Sequence, residues 1–361
     1  MPRVLIIKLG AIGDVVMAIP AAHAMYRKGF AIDWVCGVQV LSVLEQYSWI
    51  RPIPVDDGAL FGGSGRGRLR AMAGVWARLA GRRYELCATL YYDRRYKLLA
   101  LPVRARRRLT LSHTDRSRRL MPGRHHTDEY LRVLLGNDDG PVEVGLAPVR
   151  PERLPASRFP RLEGRERVVL VPGGARNAIR TDGLRRWPVE SYVAVARSLL
   201  DRAIEVILLG GPDDTWAAEA FQGVDVRNEI GRLTLIETLA LMEASDVVVT
   251  HDTGPLHLAG VTSAGIVSVF GPTDPWGRLP QRAGAVALWG GEGFACRPCY
   301  DGRSYAECAN NTCVQQITPE MVVREVEELL RQRRSGPMSG PRVVTPGSTV
   351  TAAVPMMSGL V

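Results

Sequence analysis

The 361-residue sequence has few cysteines and no long apolar run. Six cysteines are too few for a secreted protein held together by disulfides. Apolar stretches such as Val4–Ile7 and Val247–Val249 fall far short of the ~20 residues that cross a bilayer. The first of them is broken at Lys8 and Gly10 and has no small-residue cleavage site after it, unlike a secretory signal. We therefore expect a cytoplasmic protein.

Two common nucleotide-binding motifs are also missing. The loop Lys8–Asp14 lacks the G-x-G-x-x-G spacing of dinucleotide-binding proteins, and no G-K-[ST] of a P-loop occurs anywhere. Lysine is scarce, with 3 Lys against 43 Arg. Genomic base composition can produce such a bias, so a single arginine is weak evidence for a function.

Positive charge is concentrated in residues 61–125, which we call the basic segment. It carries 17 Arg or Lys and 3 Asp or Glu, whereas the net charge of the whole chain is only +9. Such a segment favours an anionic partner, which would be a lipid head group, a phosphorylated saccharide or nucleic acid. An arginine-rich surface exposed to solvent is an equally supported alternative.

Strand-like and helix-like segments alternate along both halves of the chain. Residues 148–166 are rich in Pro and Arg, lack periodicity and are typical of a linker. The alternation on either side predicts an α/β fold with two doubly wound, Rossmann-like domains facing a central cleft. Gly62–Gly67 is expected to be a flexible loop. The predicted parts are an N-terminal domain (1–150), a C-terminal domain (165–318), a helix (319–334) and a disordered tail (335–361).

The loop between the first predicted strand and helix contains Asp14. One interpretation is that Asp14 caps the helix, and the residues alone favour it. The other is that its carboxylate lies at the carboxyl edge of the sheet, faces the cleft and acts as a general base.

A second candidate is the heptapeptide HDTGPLH at positions 251–257, which follows a strand and opens a helix. Asp252 or Thr253 can cap that helix, and Gly254 lets a ligand approach the backbone. Exposed amides and the positive helix end make an anion site suited to a diphosphate. The alternative is an ordinary strand–turn–helix with a buried, hydrogen-bonded His257.

A third candidate is the turn after the strand 168–171. Gly173 and Gly174 permit close backbone approach of a ligand there. Four arginines follow that can supply charge for phosphate oxygens: Arg176, Arg180, Arg185 and Arg186.

Asp214 follows the strand 204–209 and is a fourth candidate. It can accept hydrogen bonds from ribose hydroxyls, and a plain helix N-cap is the alternative. The segment 271–276 follows another strand and could line the same cleft.

Four cysteines, Cys296, Cys299, Cys308 and Cys313, fall within 18 residues. They can form a structural zinc site, two disulfides or four reduced thiols. A reducing cytoplasm disfavours disulfides, and the wide spacing of the second pair weakens the zinc interpretation. We favour a structural role over a catalytic one.

Together, five segments resemble glycosyltransferase family 9, the ADP-heptose:lipopolysaccharide heptosyltransferases. VLIIKLGAIGDVVMAIPA resembles the N-terminal signature of the family, and HDTGPLHLAG with VSVFGPTDP resembles its sugar-nucleotide signature. VPGGA…RRWP and LLGGPDD fall between them in family order, and CRPCY…C…C is similar to a cysteine-bearing segment of many members. The resemblance covers about residues 3–330.

The resemblance implies a GT-B fold and inverting, metal-independent transfer of a heptose from ADP-heptose to a lipopolysaccharide inner-core or related saccharide. Asp14 matches the catalytic aspartate of the family, which replaces the N-cap interpretation. Arg185 falls where the family usually has Lys, and a guanidinium places its charge differently from an ammonium. Further matches are Lys8 and Gly13 in the first signature, Asp252, Thr253, Gly254 and His257 in the donor signature, and loosely Asp214.

The implied partners are a nucleotide-sugar donor and an anionic saccharide or lipid-linked acceptor, with peripheral contact of the basic segment with the inner membrane. No cofactor is implied beyond the structural zinc considered above. One alternative is a GT-B enzyme that uses another sugar nucleotide, or a natural-product or glycan acceptor. A second is a nucleic-acid-binding protein acting through residues 104–119, for which the sequence offers no reading helix or aromatic stacking motif.

Overall fold

The predicted alternation of strands and helices is present on both sides of one boundary in the chain. The structure is a computed structural model that describes residues 1–115, 118–121, 123–136, 145–155, 158–175, 183–300, 305–347 and 352–353. The chain divides into two compact units, Met1–Arg153 and Leu154–Val361. The boundary falls inside the segment 148–166 that the sequence predicts to be a linker.

The N-terminal unit is built on a five-stranded sheet. Its strands are β1 (Arg3–Ile7), β2 (Ala31–Gly37), β3 (Ile50–Val55), β4 (Arg83–Thr89) and β5 (Arg104–Thr110). Their spatial order is β3-β2-β1-β4-β5, and every neighbouring pair is parallel. The chain winds outward from β1 in both directions, so this sheet is doubly wound, as predicted.

Five helices lie between these strands in the described sequence, and a sixth follows β5. They are α1 (Ile12–Arg27), α2 (Val38–Leu44), α3 (Asp57–Gly62), α4 (Gly65–Leu79), α5 (Arg94–Leu99) and α6 (His126–Leu135). The prediction of a flexible loop over Gly62–Gly67 is wrong. The Ser64 side chain accepts a hydrogen bond from the Gly67 amide at 3.3 Å, and this N-cap starts α4 within the glycine-rich stretch.

Strand β3 contains Pro52 and Pro54, and the sequence analysis did not predict it. Proline has no backbone N–H to donate to a neighbouring strand. Within sheets it is therefore found mainly in edge strands. β3 is an edge strand that pairs only with β2 among the described strands, which explains how it accommodates both prolines.

The C-terminal unit contains a larger sheet. Its strands are β6 (Arg167–Leu170), β7 (Glu205–Leu208), β8 (Arg227–Asn228), β9 (Val247–His251), β10 (Gly265–Phe270), β11 (Ala285–Trp289), β12 (Arg342–Val344) and β13 (Ala352–Ala353). The spatial order is β13-β12-β11-β10-β9-β6-β7-β8. The pairs are parallel except for β12 with β13.

The α-helices of this unit are α7 (Val189–Leu200), α8 (Leu235–Glu243), α9 (Gly254–Gly260), α10 (Thr312–Gln315) and α11 (Pro319–Ser335). Among the described residues of this unit, three 3-10 helices cover Gly183–Arg185, Pro212–Phe221 and Pro275–Gly277. Apolar residues of α7 and α11 share one buried core with β6, β7, β9, β10 and β11. This core fixes the carboxyl ends of those strands, from which the site residues project.

The prediction of a disordered tail over 335–361 is wrong for its strand residues. Arg342–Val344 pairs in parallel register with β11, and Val343 and Val344 are buried. These two valines extend the apolar sheet beyond β11, and their burial offsets the entropy cost of ordering the segment. No helix among the described residues combines the length and apolar character needed to span a bilayer.

Candidate functional site

Asp14 lies in the first turn of α1, close to the carboxyl end of β1. The N-cap of α1 is Ala11, and no side chain caps the helix, so the N-cap interpretation of Asp14 is wrong. Its side chain is 32% exposed and its Oδ2 lies 3.0 Å from Lys8 Nζ. Gly13, next to it, is buried in the same turn.

Lys8 is buried even though it carries a charge. Its Nζ lies 4.7 Å from the ring centre of Tyr91 and 5.9 Å from that of Tyr130. Aromatic faces attract cations, so these rings and Asp14 together hold the ammonium group inside the unit. Lys8, predicted to bind substrate, is therefore placed to orient Asp14.

The second group of site residues surrounds Asp252, which follows β9 in the C-terminal unit. Its Oδ2 lies 3.4 Å from Arg185 Nη1 and 3.8 Å from Arg278 Nε. Burial alone would raise the pKa of Asp252, but the charges of Arg278 and Arg185 outweigh it and hold the pKa well below its usual range. Asp252 is thus ionised between two arginines.

Two oxygens at this position lack good hydrogen-bond geometry. The Thr273 hydroxyl lies beside the Asp252 carboxylate and helps to lower its pKa. Nevertheless, neither Asp252 Oδ1 nor Thr273 Oγ1, both buried, has a well-formed hydrogen bond to any residue that the structure describes. Buried polar atoms in folded proteins are normally paired, so these two oxygens are exceptions among the described residues.

His251, the last residue of β9, lies next to this carboxylate. Its Nδ1 is 2.9 Å from the Tyr192 hydroxyl, and its buried Nε2 has no hydrogen-bond partner among the described residues. Burial, assisted by the charges of Arg185 and Arg186, lowers the pKa of His251 to about 3. The imidazole is therefore neutral at physiological pH.

Helix α9 begins beside Asp252. Thr253 occupies its N-cap position, but the Thr253 hydroxyl donates to the His251 carbonyl oxygen at 3.3 Å instead of capping the helix. The expectation that a side chain of Asp252 or Thr253 caps α9 is therefore wrong. His257 is buried, as the structural alternative expected, and lies close enough to Asp252 to help lower its pKa.

The Asp214 carboxylate forms hydrogen bonds with two loops of the C-terminal unit. Its Oδ1 accepts from the Gly174 amide at 2.7 Å and its Oδ2 from the Gly211 amide at 2.8 Å. A Cβ atom at Gly173 would clash with the Asp214 side chain, so a glycine is needed there. Asp214 lies inside the 3-10 helix and is not its N-cap, which is Gly211, so that alternative is wrong.

Gly174 brings the loop after β6 next to the start of α9. Its φ is +90°, and a Cβ atom there would lie 3.4 Å from the Thr253 side chain. Arg186 Nε donates to the Gly174 carbonyl at 2.9 Å. The structure thus brings together Gly173, Gly174, Arg185, Asp214, Asp252, Thr253, Gly254 and His257 in one unit. Arg176 and Arg180 lie outside the described residues.

The four clustered cysteines form no disulfide with one another. Cys296, Cys299 and Cys308 are close enough to Cys313 to contribute to raising its pKa, after burial, the main cause. Across the described ranges, however, no three His, Cys, Asp or Glu side chains are grouped so that they could hold a metal ion. The cysteines as placed do not fit a zinc site.

Several arginines of the basic segment make contacts inside the N-terminal unit. Arg82 pairs with buried Asp33, Arg106 with Glu85, and Arg108 donates to the Ala100 carbonyl. These contacts account for part of the positive charge without an external partner.

Comparison with known proteins supports the resemblance seen in the sequence. Residues 146–309 match the sequence profile of glycosyltransferase family 9 (heptosyltransferase). Lipooligosaccharide heptosyltransferase 2 of Haemophilus influenzae is 28% identical over 155 residues, 40% of this chain and 43% of that protein. Lipopolysaccharide heptosyltransferase 2 of Escherichia coli is 26% identical over 162 residues, 42% and 44% of the two chains. The chain thus spans about half the length of the curated relatives it matches.

Solved structures extend the likeness to nearly the whole chain at the level of fold. E. coli ADP-heptose lps heptosyltransferase II superimposes with a TM-score of 0.69 and 19% identity, covering 92% of this chain and 99% of that chain. A family 9 glycosyl transferase from Veillonella parvula gives 0.70 and 18%, covering 92% and 97%. With its two doubly wound sheets, the protein has a GT-B-type fold, as predicted.

The sequence match to the family covers less than half of the chain. The profile match covers the strands and loops that carry Gly173, Asp214 and Asp252. The chain therefore resembles glycosyltransferase family 9 in sequence over residues 146–309 and in fold over nearly its whole length.

Sequence reasoning missed Arg278 and the pairing of His251 with Tyr192. Arg278 is one of 43 arginines, so nothing in its residue type set it apart. His251 was visible as the first residue of HDTGPLH, but its partner lies on α7, 59 residues earlier in the chain.

Proposed function

We propose that the protein is an inverting, metal-independent glycosyltransferase that moves a heptose from ADP-heptose to a lipopolysaccharide inner-core or related saccharide. The observation that carries the proposal is the family match over 146–309, which includes the buried Asp252 with its two arginines. The curated relatives are named lipopolysaccharide or lipooligosaccharide heptosyltransferases.

ADP-heptose is the proposed donor because two related structures were solved with matching ligands. E. coli heptosyltransferase WaaC was solved with ADP and with ADP-2-deoxy-2-fluoro heptose, and these structures superimpose with TM-scores of 0.63 and 0.61. In the present chain, the loops that carry Gly174, Arg185 and Asp252 supply backbone amides and guanidinium groups. Such groups suit a diphosphate.

Asp14 is proposed to act as the general base. Its carboxylate is ion-paired with Lys8 yet partly exposed, so an acceptor hydroxyl can reach it. Asp14 accepts the hydroxyl proton while the oxygen forms a bond to the anomeric carbon, and the bond from that carbon to the diphosphate oxygen breaks. Attack opposite the leaving group inverts the anomeric configuration.

Arg185 is proposed to stabilise the departing ADP. Negative charge builds up on the diphosphate as the glycosidic bond breaks, and a guanidinium already in position lowers the energy of that state. Asp252 orients Arg185 through the 3.4 Å contact, and the amides at the start of α9 add partial positive charge.

The acceptor is proposed to carry negative charge. Arg66, Arg68 and Arg70 are exposed along α4, which belongs to the basic segment. Exposed guanidinium groups attract phosphate or carboxylate, so this helix suits a phosphorylated saccharide or the inner membrane face that presents it.

The deciding experiment is the mass of the product after incubation with ADP-heptose and candidate inner-core acceptors. A gain in acceptor mass equal to one heptose minus water, with release of ADP, supports the proposal. A parallel panel of UDP- and GDP-sugars tests the alternative donors. If a UDP- or GDP-sugar is consumed and ADP-heptose is not, the proposed donor is wrong.

A further inference from the structure

Arg278 has an unusual environment for an arginine that is largely enclosed by protein. It follows the 3-10 helix Pro275–Gly277, and its side chain is 13% exposed. A guanidinium carries five N–H donors. Within the described part of the chain, however, the Arg278 guanidinium donates no hydrogen bond. Its Nε lies 3.8 Å from Asp252 Oδ2, with which it forms a long ion pair.

Arginines that serve a structural purpose in this chain are bound more tightly. Arg167 Nε lies 2.7 Å from Glu205 Oε2, and Arg51 donates to both oxygens of Asp33 at 2.8 Å. These distances are those of charge-assisted hydrogen bonds. By comparison, the contact between Arg278 and Asp252 is loose and leaves the donors of Arg278 available for another acceptor.

The positive charges of Arg185 and Arg278 lie close together, because both side chains approach the same oxygen of Asp252. Asp274 also lies near Arg278, but its carboxyl accepts a hydrogen bond from the Trp276 amide and none from Arg278. An anionic ligand would accept the hydrogen bonds that Arg278 does not make within the described part of the chain.

The ring of Tyr300 helps to hold Arg278 in place. The Arg278 guanidinium carbon lies 5.4 Å from the ring centre, within the range of a cation–π contact. The side chain is therefore held on one side by an aromatic ring and on the other by Asp252, with no hydrogen bond to either.

We propose that Arg278 binds the diphosphate of the nucleotide ligand as a second guanidinium beside Arg185, with Asp252 orienting both. The proposal rests on the proposed function, because it assigns a further residue to the same donor site. Arg278 contacts the phosphate oxygens directly and acts on binding as well as on departure of the leaving group.

The test measures the affinity of the protein for ADP, AMP and adenosine by calorimetry, with UDP and GDP included for the wild type and Arg278→Gln. Arg278→Gln removes the charge while keeping much of the side-chain length, and Arg278→Lys keeps the charge without the planar fork. The matched control is Arg202→Ala, which removes a positive charge from an exposed pair with Glu327 in the same unit. Thermal unfolding without ligand checks that each variant is folded.

We expect Arg278→Gln to weaken ADP binding about 10- to 100-fold, the range for a lost hydrogen bond to a charged group. Adenosine binding should be unchanged, AMP should be affected less than ADP, and Arg278→Lys should fall between Arg278→Gln and the wild type. Arg202→Ala should bind all three ligands as the wild type does.

The inference is overturned if Arg278→Gln binds ADP normally, or if it loses adenosine and ADP affinity equally, which would indicate a structural role. If Arg278→Gln does not fold, the Arg278→Lys variant decides by the same comparison. A wild type that prefers UDP or GDP and loses that affinity on Arg278→Gln would refute the proposed donor but support this inference. A wild type that binds no nucleoside diphosphate would overturn both.

Discussion

Lys8 Nζ and Asp14 Oδ2 lie 3.0 Å apart, yet only Asp14 reaches solvent to a useful extent. The Lys8 side chain is 2% exposed and that of Asp14 is 32% exposed. A buried cation held between two tyrosine rings therefore fixes a carboxylate that remains accessible. This arrangement suits a general base, because the carboxylate is held in one orientation and remains accessible to a substrate hydroxyl.

Replacing Asp14 with Asn should abolish most of the transfer activity. The amide cannot accept the acceptor proton, and loss of a general base typically costs about 10²- to 10⁴-fold in rate. ADP affinity, measured by calorimetry, should stay close to the wild type because Asp14 belongs to the other unit from the donor residues. Asp115→Asn, on the surface of the same unit, is the control. Near-normal turnover by Asp14→Asn would show that Asp14 is not the base.

Replacing Lys8 with Met should reduce activity much more than stability. Methionine fills a similar volume between the two tyrosine rings, and the partly exposed Asp14 can be solvated by water. We expect kcat to fall about 10- to 100-fold through misplacement of the carboxylate. The free energy of unfolding, from urea titration, should change far less.

A double variant separates positioning by Lys8 from direct contact with substrate. If Lys8 acts only through Asp14, Lys8→Met added to Asp14→Asn should cause no further loss. A further loss in the double variant, together with a raised KM for the acceptor, would indicate instead that Lys8 binds substrate.

Replacing Asp214 with Asn should destabilise the C-terminal unit. Its two carboxylate oxygens accept from the amides of Gly174 and Gly211, and an Asn side chain offers only one acceptor oxygen. Loss of one such charge-assisted bond should lower the free energy of unfolding by about 1–3 kcal/mol. The control is Asp213→Asn, because its side chain is exposed. Unchanged stability with a loss of adenosine affinity would favour the ribose-binding role instead.

His251 should make stability depend on pH. Burial lowers its pKa to about 3, whereas an unfolded histidine titrates near 6.5. As the pH falls from about 6.5 towards 3, the unfolded chain takes up a proton that the folded chain does not, so the folded state loses up to ~1.4 kcal/mol per pH unit. This contribution is fully present above pH 6.5.

The measurement is urea unfolding at pH 7.5, 6 and 5 for the wild type and two variants. His251→Phe should show a smaller decrease in stability between pH 7.5 and 5 than the wild type. Tyr192→Phe removes the hydroxyl partner but keeps the imidazole, so it should retain the pH dependence. Equal slopes for His251→Phe and the wild type would contradict the assignment.

The two-sheet architecture was predictable because buried parallel strands appear as short apolar runs between helical patterns. Strand β3 was not predictable, because Pro52 and Pro54 interrupt its apolar pattern. The two prolines are tolerated because β3 lies at the edge of the sheet. β12 was not predicted either, because three residues gain their stability from the neighbouring β11 and not from local sequence.

Site residues that lie within one short sequence motif were predictable. Contacts between residues far apart in the sequence were not. The stretch HDTGPLH identified Asp252, but the two arginines on its carboxylate come from loops that only the tertiary fold brings together. The role of Asp214 was likewise hidden, since its amide partners at Gly174 and Gly211 depend on how two loops pack.

The edge strands of the N-terminal sheet resist recruitment of a further strand. Pro52 and Pro54 remove amide donors from β3, and β5 carries four arginines along its length. Prolines and like charges at sheet edges both oppose edge-to-edge aggregation of separate molecules. Neutralising the β5 arginines should therefore reduce the solubility of the protein even where it leaves the fold intact.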